Sequence, residues 1–327
     1  MAPGLTASQE LHLLALPPEI QMSIFYALPN IKTAIALRST CRKFDGIYRR
    51  IEPQFLIVQR DRLTAPFAKF YNFLLHLKLP DDTVLHPPSA GWTDLDLNLK
   101  TSHVQSKTQF AMDVLRHMPF IDSRYRAVDM ERNIGFRTSV VNYVDRSCWG
   151  RMGGFRVEEP AILWKLEQPA ANNKLEAPLS SRKHILMIAE SKYGNGTYLM
   201  LDTMTGLITE VPRERGPIRQ KTPQAYCDDK IAALAELKEV FIPDQEMIVL
   251  SDMDHEHYDA DEMEQQGEPG WQWPRPFGSR EDGLWVRHLH RKFGWPGEDW
   301  DKEGCLSELS QFNRRQRNEM IGGQPDV

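Results

Sequence analysis

The sequence predicts an α+β protein, with a small helical unit in front of a larger body built on an antiparallel meander. Three observations predict it. Residues 13–52 carry apolar side chains at helical spacing. Between residues 184 and 211, HILMIAE, TYLMLDT and LITEV are short β-prone runs separated by KYGNG and MTG. Thr222-Pro223 then offers a helix start, after which Cys227, Ile231, Leu234, Leu237 and Phe241 recur at helical steps.

In the front unit Leu16, Ile20, Ile24 and Leu28 repeat every four residues and form one apolar ridge. Pro17 and Pro18 stand at its start, where a missing N–H costs nothing, and Pro29 stops it. Asn30 can cap a second segment along which Ala34, Leu37, Cys41, Phe44, Tyr48 and Ile51 alternate steps of three and four. Residues 1–12 read as a flexible lead-in. A unit of about 40 residues buries too little surface to be secure alone. The rest of the chain or another protein must supply the missing burial.

Residues 53–80 read as a connecting region whose helix, Ala65 to Lys78, sets Phe67, Phe70, Tyr71, Leu74 and Leu77 on one side and stops at Pro80. The remainder, residues 81–327, is expected to be one α+β domain. It opens with a Pro- and Asp-rich loop and a helix near Ser106 to His117. In the meander, Asn195 and Gly196 supply the tolerance that a tight hairpin turn needs. Both faces of HILMI and YLML are apolar, which predicts a sheet covered on both sides. The helix from Pro223 is expected to run about five turns and end before Pro243, with DQEMIVLSD as a further strand. Residues 252–268 hold eight Asp or Glu and no Lys or Arg, which reads as a solvated loop. The segment 271–300 carries five of the eight tryptophans, ordered by packing on the body or a partner, and a last helix is expected from Lys302 to Met320.

A formal net charge of −5 and a pI near 6.1 give no overall pull on phosphate backbones, so nucleic acid is not an expected partner. No apolar run reaches the ~18–20 residues of a membrane span, and no basic-flanked secretory signal opens the sequence. The expected compartment is the cytoplasm, the nucleus or both. Cys41, Cys148, Cys227 and Cys305 are too far apart for a zinc or redox motif and read as buried small hydrophobes.

GNGTYL puts Leu199 where a dinucleotide motif needs its third glycine, and no phosphate loop, nucleophile elbow or zinc helix occurs. SDMDHEHYDADE gathers Asp252, Asp254, His255, Glu256, His257, Asp259 and Asp261, yet His257 stands where a calcium loop turns on glycine. No metal or cofactor is expected. His184, His288 and His290 read as surface or satisfied structural residues rather than catalytic bases.

Leu16-Pro17-x-Glu19-Ile20, Ile24, Leu28, Ala36-Leu37-Arg38-x-Thr40-Cys41-Arg42-x-Phe44 and Ile47 together resemble an F-box, in the form common among fungal F-box proteins. The resemblance covers residues 13–50. It implies that Leu16, Pro17, Ile20, Ile24, Leu28, Leu37, Cys41 and Phe44 serve adaptor binding, some facing a Skp-type adaptor and others joining the three helices. Through the adaptor the chain would reach a cullin, and its larger domain would hold a client protein. Residues 184–241 are similar, more weakly, to the SUKH superfamily that includes fungal cell-wall synthesis regulators. That similarity implies an α+β interaction module.

The expected function is thus a non-catalytic substrate receptor of an SCF-type ubiquitin ligase. On the residues alone two alternatives stay open. One is a regulatory module whose front helices pack only on its own core; the other is an enzyme of unrecognised type.

Overall fold

The fold is α+β. A computed structural model describes residues 13–93, 107–122, 133–135, 137–144, 166, 175, 178–191, 196–213, 216–241, 248–249, 260–269 and 280–322. After a single turn at Leu13–Ala15 come α1 (Pro18–Ala27), α2 (Ile31–Arg38) and α3 (Arg42–Leu77). The sequence signals at the first two helices act as expected. Pro18 is the first helical residue of α1, and Asn30 Oδ1 accepts both the backbone N–H and the hydroxyl of Thr33, each at 2.9 Å.

The expected boundary at residue 52 falls inside α3, which runs 36 residues, about 54 Å, through Pro53 and Pro66. Each proline removes one N–H and crowds the carbonyl four residues back. Packing offsets that loss, because a buried stripe continues on both sides of each proline, from Phe44 to Phe55 and from Leu63 to Leu77. The helix therefore belongs to two cores. Its first half closes a small cluster with Phe25, Ile31 and Ala34, and its second half joins the main core of the body.

The body's sheet has six antiparallel strands in sequence order, β3 (Asn133–Gly135), β4 (Thr138–Val140), β5 (Ile185–Ser191), β6 (Thr197–Asp202), β7 (Leu207–Pro212) and β8 (Arg219–Lys221). The expected three-strand meander is its centre. Leu186, Leu199, Leu201 and Ile208 face the main core, whereas Ile185, Met187, Tyr198, Met200 and Val211 are buried on the opposite side with Leu166. Both faces are covered, as apolar side chains on both faces of these runs predict. A register shift between Met187 and Ala189 lets Ile188 and Ala189 both join the main core. The polar Arg219-Gln220-Lys221 edge protects the sheet from further pairing.

Gly196 is needed for space: a Cβ there would overlap the Arg137 carbonyl oxygen, so β4 and the β5–β6 hairpin meet only over a glycine. Asn195 lies outside the described residues. Two short ladders complete the strands, β1 (Val84–Leu85) with β2 (Phe120–Ile121) and β9 (Glu239–Val240) with β10 (Ile248–Val249). The β10 ladder realises the strand expected in DQEMIVLSD.

α4 (Gln109–Arg116) is capped by the Thr108 hydroxyl and α5 (Pro223–Ala235) by that of Thr222. α5 is shorter than the periodicity implied. Leu237 adopts φ 56°, Lys238 N–H reaches back to the Ala233 carbonyl at 2.8 Å and Leu237 N–H to that of Leu234 at 3.2 Å. That closing pattern ordinarily uses glycine. Burial of Leu237 in the main core offsets its strained backbone, and Phe241 ends beyond β9, under the ammonium of Lys78.

α6 (Ala260–Gln266) lies within the stretch expected to be an acidic loop. The correction has a visible cause: Glu264 meets His288 and Lys292, and Glu268 pairs with Arg315, so these carboxylates hold helices together instead of facing water alone. The potential metal ligands at 252–259 lie outside the described residues. α7 (Arg280–Lys292) closes at Gly294, φ 92°, and α8 (Lys302–Gly322) follows. Trp285 and Trp295 are buried in the main core and Trp300 packs against it; Trp271 and Trp273 lie outside the described residues. Lys302 at the start of α8 donates to the carbonyls of Leu75 and Leu79, placing a cation at the negative end of α3.

Cys227 and Cys305 are fully buried, and desolvation pushes each thiol up to about 12. Neither should react with maleimide in the native protein at neutral pH, and both should label once urea unfolds the chain. Mass spectrometry of the labelled peptides checks this, and native labelling of either would contradict the burial.

Candidate docking surface

The small cluster is built from rings. Phe25 meets Phe44 edge-on at 6.1 Å and Tyr48 at 5.6 Å, and Tyr48 meets Phe55 at 5.7 Å. Arg38 lies 4.9 Å over the Tyr48 ring and 3.4 Å from Asp45, tying α2 to α3. Burial, with Glu52 beside it, raises the Tyr48 phenol above its ordinary value. The inward residues of α1 are Gln21 and Phe25.

The outward side carries large aliphatic side chains: Leu13, Leu14 and Ile20 are 44%, 47% and 48% exposed. They are held in place. Gln21 Nε2 donates to the Leu13 carbonyl at 2.9 Å and Lys43 Nζ to the Leu14 carbonyl at 2.6 Å, so the turn before α1 is fixed from both sides. Ile20 N–H and Gln21 N–H both bond the Pro17 carbonyl, which starts the helix in register with that turn.

Of the residues expected from sequence, Pro17 and Ile20 are exposed and Leu16 and Ile24 half-buried at this outer surface. Leu28, Leu37 and Cys41 pack partly against the small cluster, and Phe44 is buried within it. These four join the helices, and Phe44 has no surface to offer a partner. Sequence reasoning missed Leu14 as an outward residue, and missed Gln21 and Lys43 as its supports. Its place one helical turn before Phe25, on the same face, was the available signal for Gln21.

The position of this surface follows from the helix directions. Leu14 is bonded to Lys43 at the start of α3, whereas Leu28 at the other end of α1 accepts hydrogen bonds from Gln59 and Arg62. Arg62 also bonds the Tyr26 carbonyl. Contacts with the sheet body lie at this second end, where Lys32 N–H donates to the Met204 carbonyl and Met204 and Phe110 pack on the cluster. From Lys43 to Arg62 is about 28 Å along a helix. The exposed leucines and Ile20 therefore sit at the end of the unit remote from the body. Large aliphatic side chains grouped and held at a surface mark an interaction site more than scattered ones do.

The histidines weighed as bases are engaged structurally. His184 Nδ1 lies 3.3 Å from the Thr108 hydroxyl, and burial lowers its basicity. His288 pairs with Glu264, and His290 bonds the Val286 carbonyl. Among the described residues no three His, Cys, Asp or Glu side chains come together as a metal site, and no helix is long and apolar enough to cross a membrane. No protein-family model, curated protein or solved structure matches the chain.

Proposed function

We propose that the chain is a substrate-receptor subunit of an SCF-type ubiquitin ligase, working in the cytoplasm, the nucleus or both. The N-terminal helices dock on a Skp-type adaptor, which joins them to a cullin, and the α+β body holds a client protein. The observation that carries this reading is the group of exposed Leu13, Leu14 and Ile20 on a small helical unit with its own ring cluster, turned away from the sheet. The F-box resemblance of residues 13–50 supplies the kind of partner, and the SUKH similarity of residues 184–241 suits a client-binding module. The chemistry is proximity: a tethered client sees activated ubiquitin at a raised effective concentration, with no bond made or broken by this chain.

The test is binding of the full chain to a purified Skp-type adaptor. Leu14→Asp with Ile20→Asp should weaken binding about a hundredfold, since two aliphatic side chains at ~1.5 kcal/mol each would be lost. Both positions face water, so the thermal midpoint should hold. No binding by the wild-type chain, or equal binding by the double variant, sinks the proposal.

A further inference from the structure

We infer that the basic edge at the start of α3 belongs to the same docking surface, and that the partner's apolar groove is rimmed by carboxylates which this edge meets. The inference rests on the docking role proposed above and names the chemistry of the partner's rim. Residues 13–57 contain six Lys or Arg and three Asp or Glu, in a chain whose formal net charge is −5. The excess is concentrated on one short stretch, Arg42, Lys43, Arg49 and Arg50, all exposed.

Spacing of seven residues puts Arg42 with Arg49, and Lys43 with Arg50, on two adjoining faces of the helix. Asp45 serves Arg49 at 2.8 Å and Arg38 at 3.4 Å. Among the described residues no carboxylate lies within ion-pair distance of Arg42, Lys43 or Arg50. Lys43 and Arg50 instead turn to the carbonyls of Leu14 and Gly46. Gly46 between them leaves the surface open, with nothing within 4 Å of where a Cβ would stand.

Lys43 locates this charge beside the apolar group, because its ammonium rests on the Leu14 carbonyl at 2.6 Å. The rest of the chain carries the compensating negative charge, but Arg60, where α3 meets Asp113 of the body, stands about 25 Å from Lys43 and about 15 Å from Arg50 along the helix, beyond the ~8–10 Å over which salt screens exposed charges. No described carboxylate of the body comes within ion-pair distance of Arg42, Lys43 or Arg50. An apolar centre with unpaired cations at its margin fits a partner with an apolar groove and an acidic rim. The cations would speed encounter and fix orientation, and the aliphatic side chains would hold the complex.

The experiment measures association and dissociation rates of the full chain with a purified Skp-type adaptor, from about 0.05 to 0.5 M salt. The wild-type association rate should fall about tenfold across that range. Arg42→Glu with Arg50→Glu should lower it about tenfold at the low-salt end and flatten the salt dependence, with dissociation nearly unchanged. Circular dichroism should show both proteins equally folded. An association rate insensitive to salt, or a double variant matching wild type, overturns the acidic rim while leaving docking in place. Failure of the wild-type chain to bind removes the docking role and this inference together. Loss of affinity for a DNA duplex or RNA oligomer in the double variant, with adaptor rates unmoved, would reassign the edge to nucleic acid and overturn it as well.

Discussion

Phe25→Ala is expected to destabilise the N-terminal unit by about 3–5 kcal/mol. Phe25 is fully buried and touches both Phe44 and Tyr48, so its removal opens a cavity at the centre of the small ring cluster. The other ring of α1, Tyr26, meets Phe55 at 6.5 Å and is only half-buried, so it does less to keep the helix seated. Hydrogen exchange is the discriminating measurement: amides of α1 and α2 should lose protection while those of β5, β6 and β7 keep theirs. Equal loss in both regions would mean that the two clusters unfold as one. The proposed adaptor binding should weaken with α1, although Phe25 itself faces inward.

The second large effect is on acid stability. His290 is buried in α7, bonded at 2.8 Å to the Val286 carbonyl and stacked at 5.7 Å on Trp300. Desolvation lowers its pKa from 6.5 to about 4. The folded protein therefore keeps this ring neutral where the unfolded chain already protonates it. Its contribution to stability is complete above pH ~6.5 and is lost as the pH falls toward ~4. At about 1.4 kcal/mol per pH unit, the whole span is worth roughly 3 kcal/mol. Urea unfolding midpoints of wild type and His290→Gln should converge as the pH is lowered through this window, the variant showing the shallower slope. Parallel slopes would remove His290 as the source.

The parts of the fold that could be read from sequence are those where several local signals agree. The meander was legible because apolar runs, a glycine-containing hairpin and the later Thr-Pro helix start all gave the same answer. Pro17, Pro18 and Asn30 fixed the start of α1 and the cap of α2 in the same way. α3 was misjudged because Pro53 and Pro66 are strong local stops, whereas the burial that carries the helix past them is tertiary and has no local signature. The C-terminus of α5 was hidden for the converse reason: Leu237 occupies a left-handed position that glycine usually marks, and its burial is what holds it there. At the docking surface, four-residue periodicity found Ile20 and Ile24 but could not separate them from Leu28, which turns inward at the end of α1. Leu13 and Leu14 lie in the single turn before α1, and their placement depends on hydrogen bonds from Gln21 and Lys43, one of them spanning 29 positions in the chain.

The continuity of α3 also decides where the protein can be divided. Phe55 closes the ring cluster, and Gln59 and Arg62 bond the last carbonyls of α1. A fragment cut after residue 52, the end of the front unit expected from sequence, would lose all three and leave those carbonyls without donors. The shortest N-terminal piece that keeps all three runs to Arg62, and Leu63, the next residue, already belongs to the main core of the body. A cut there parts α3 between the two cores but still strips Phe110 and Met204 from the ring cluster.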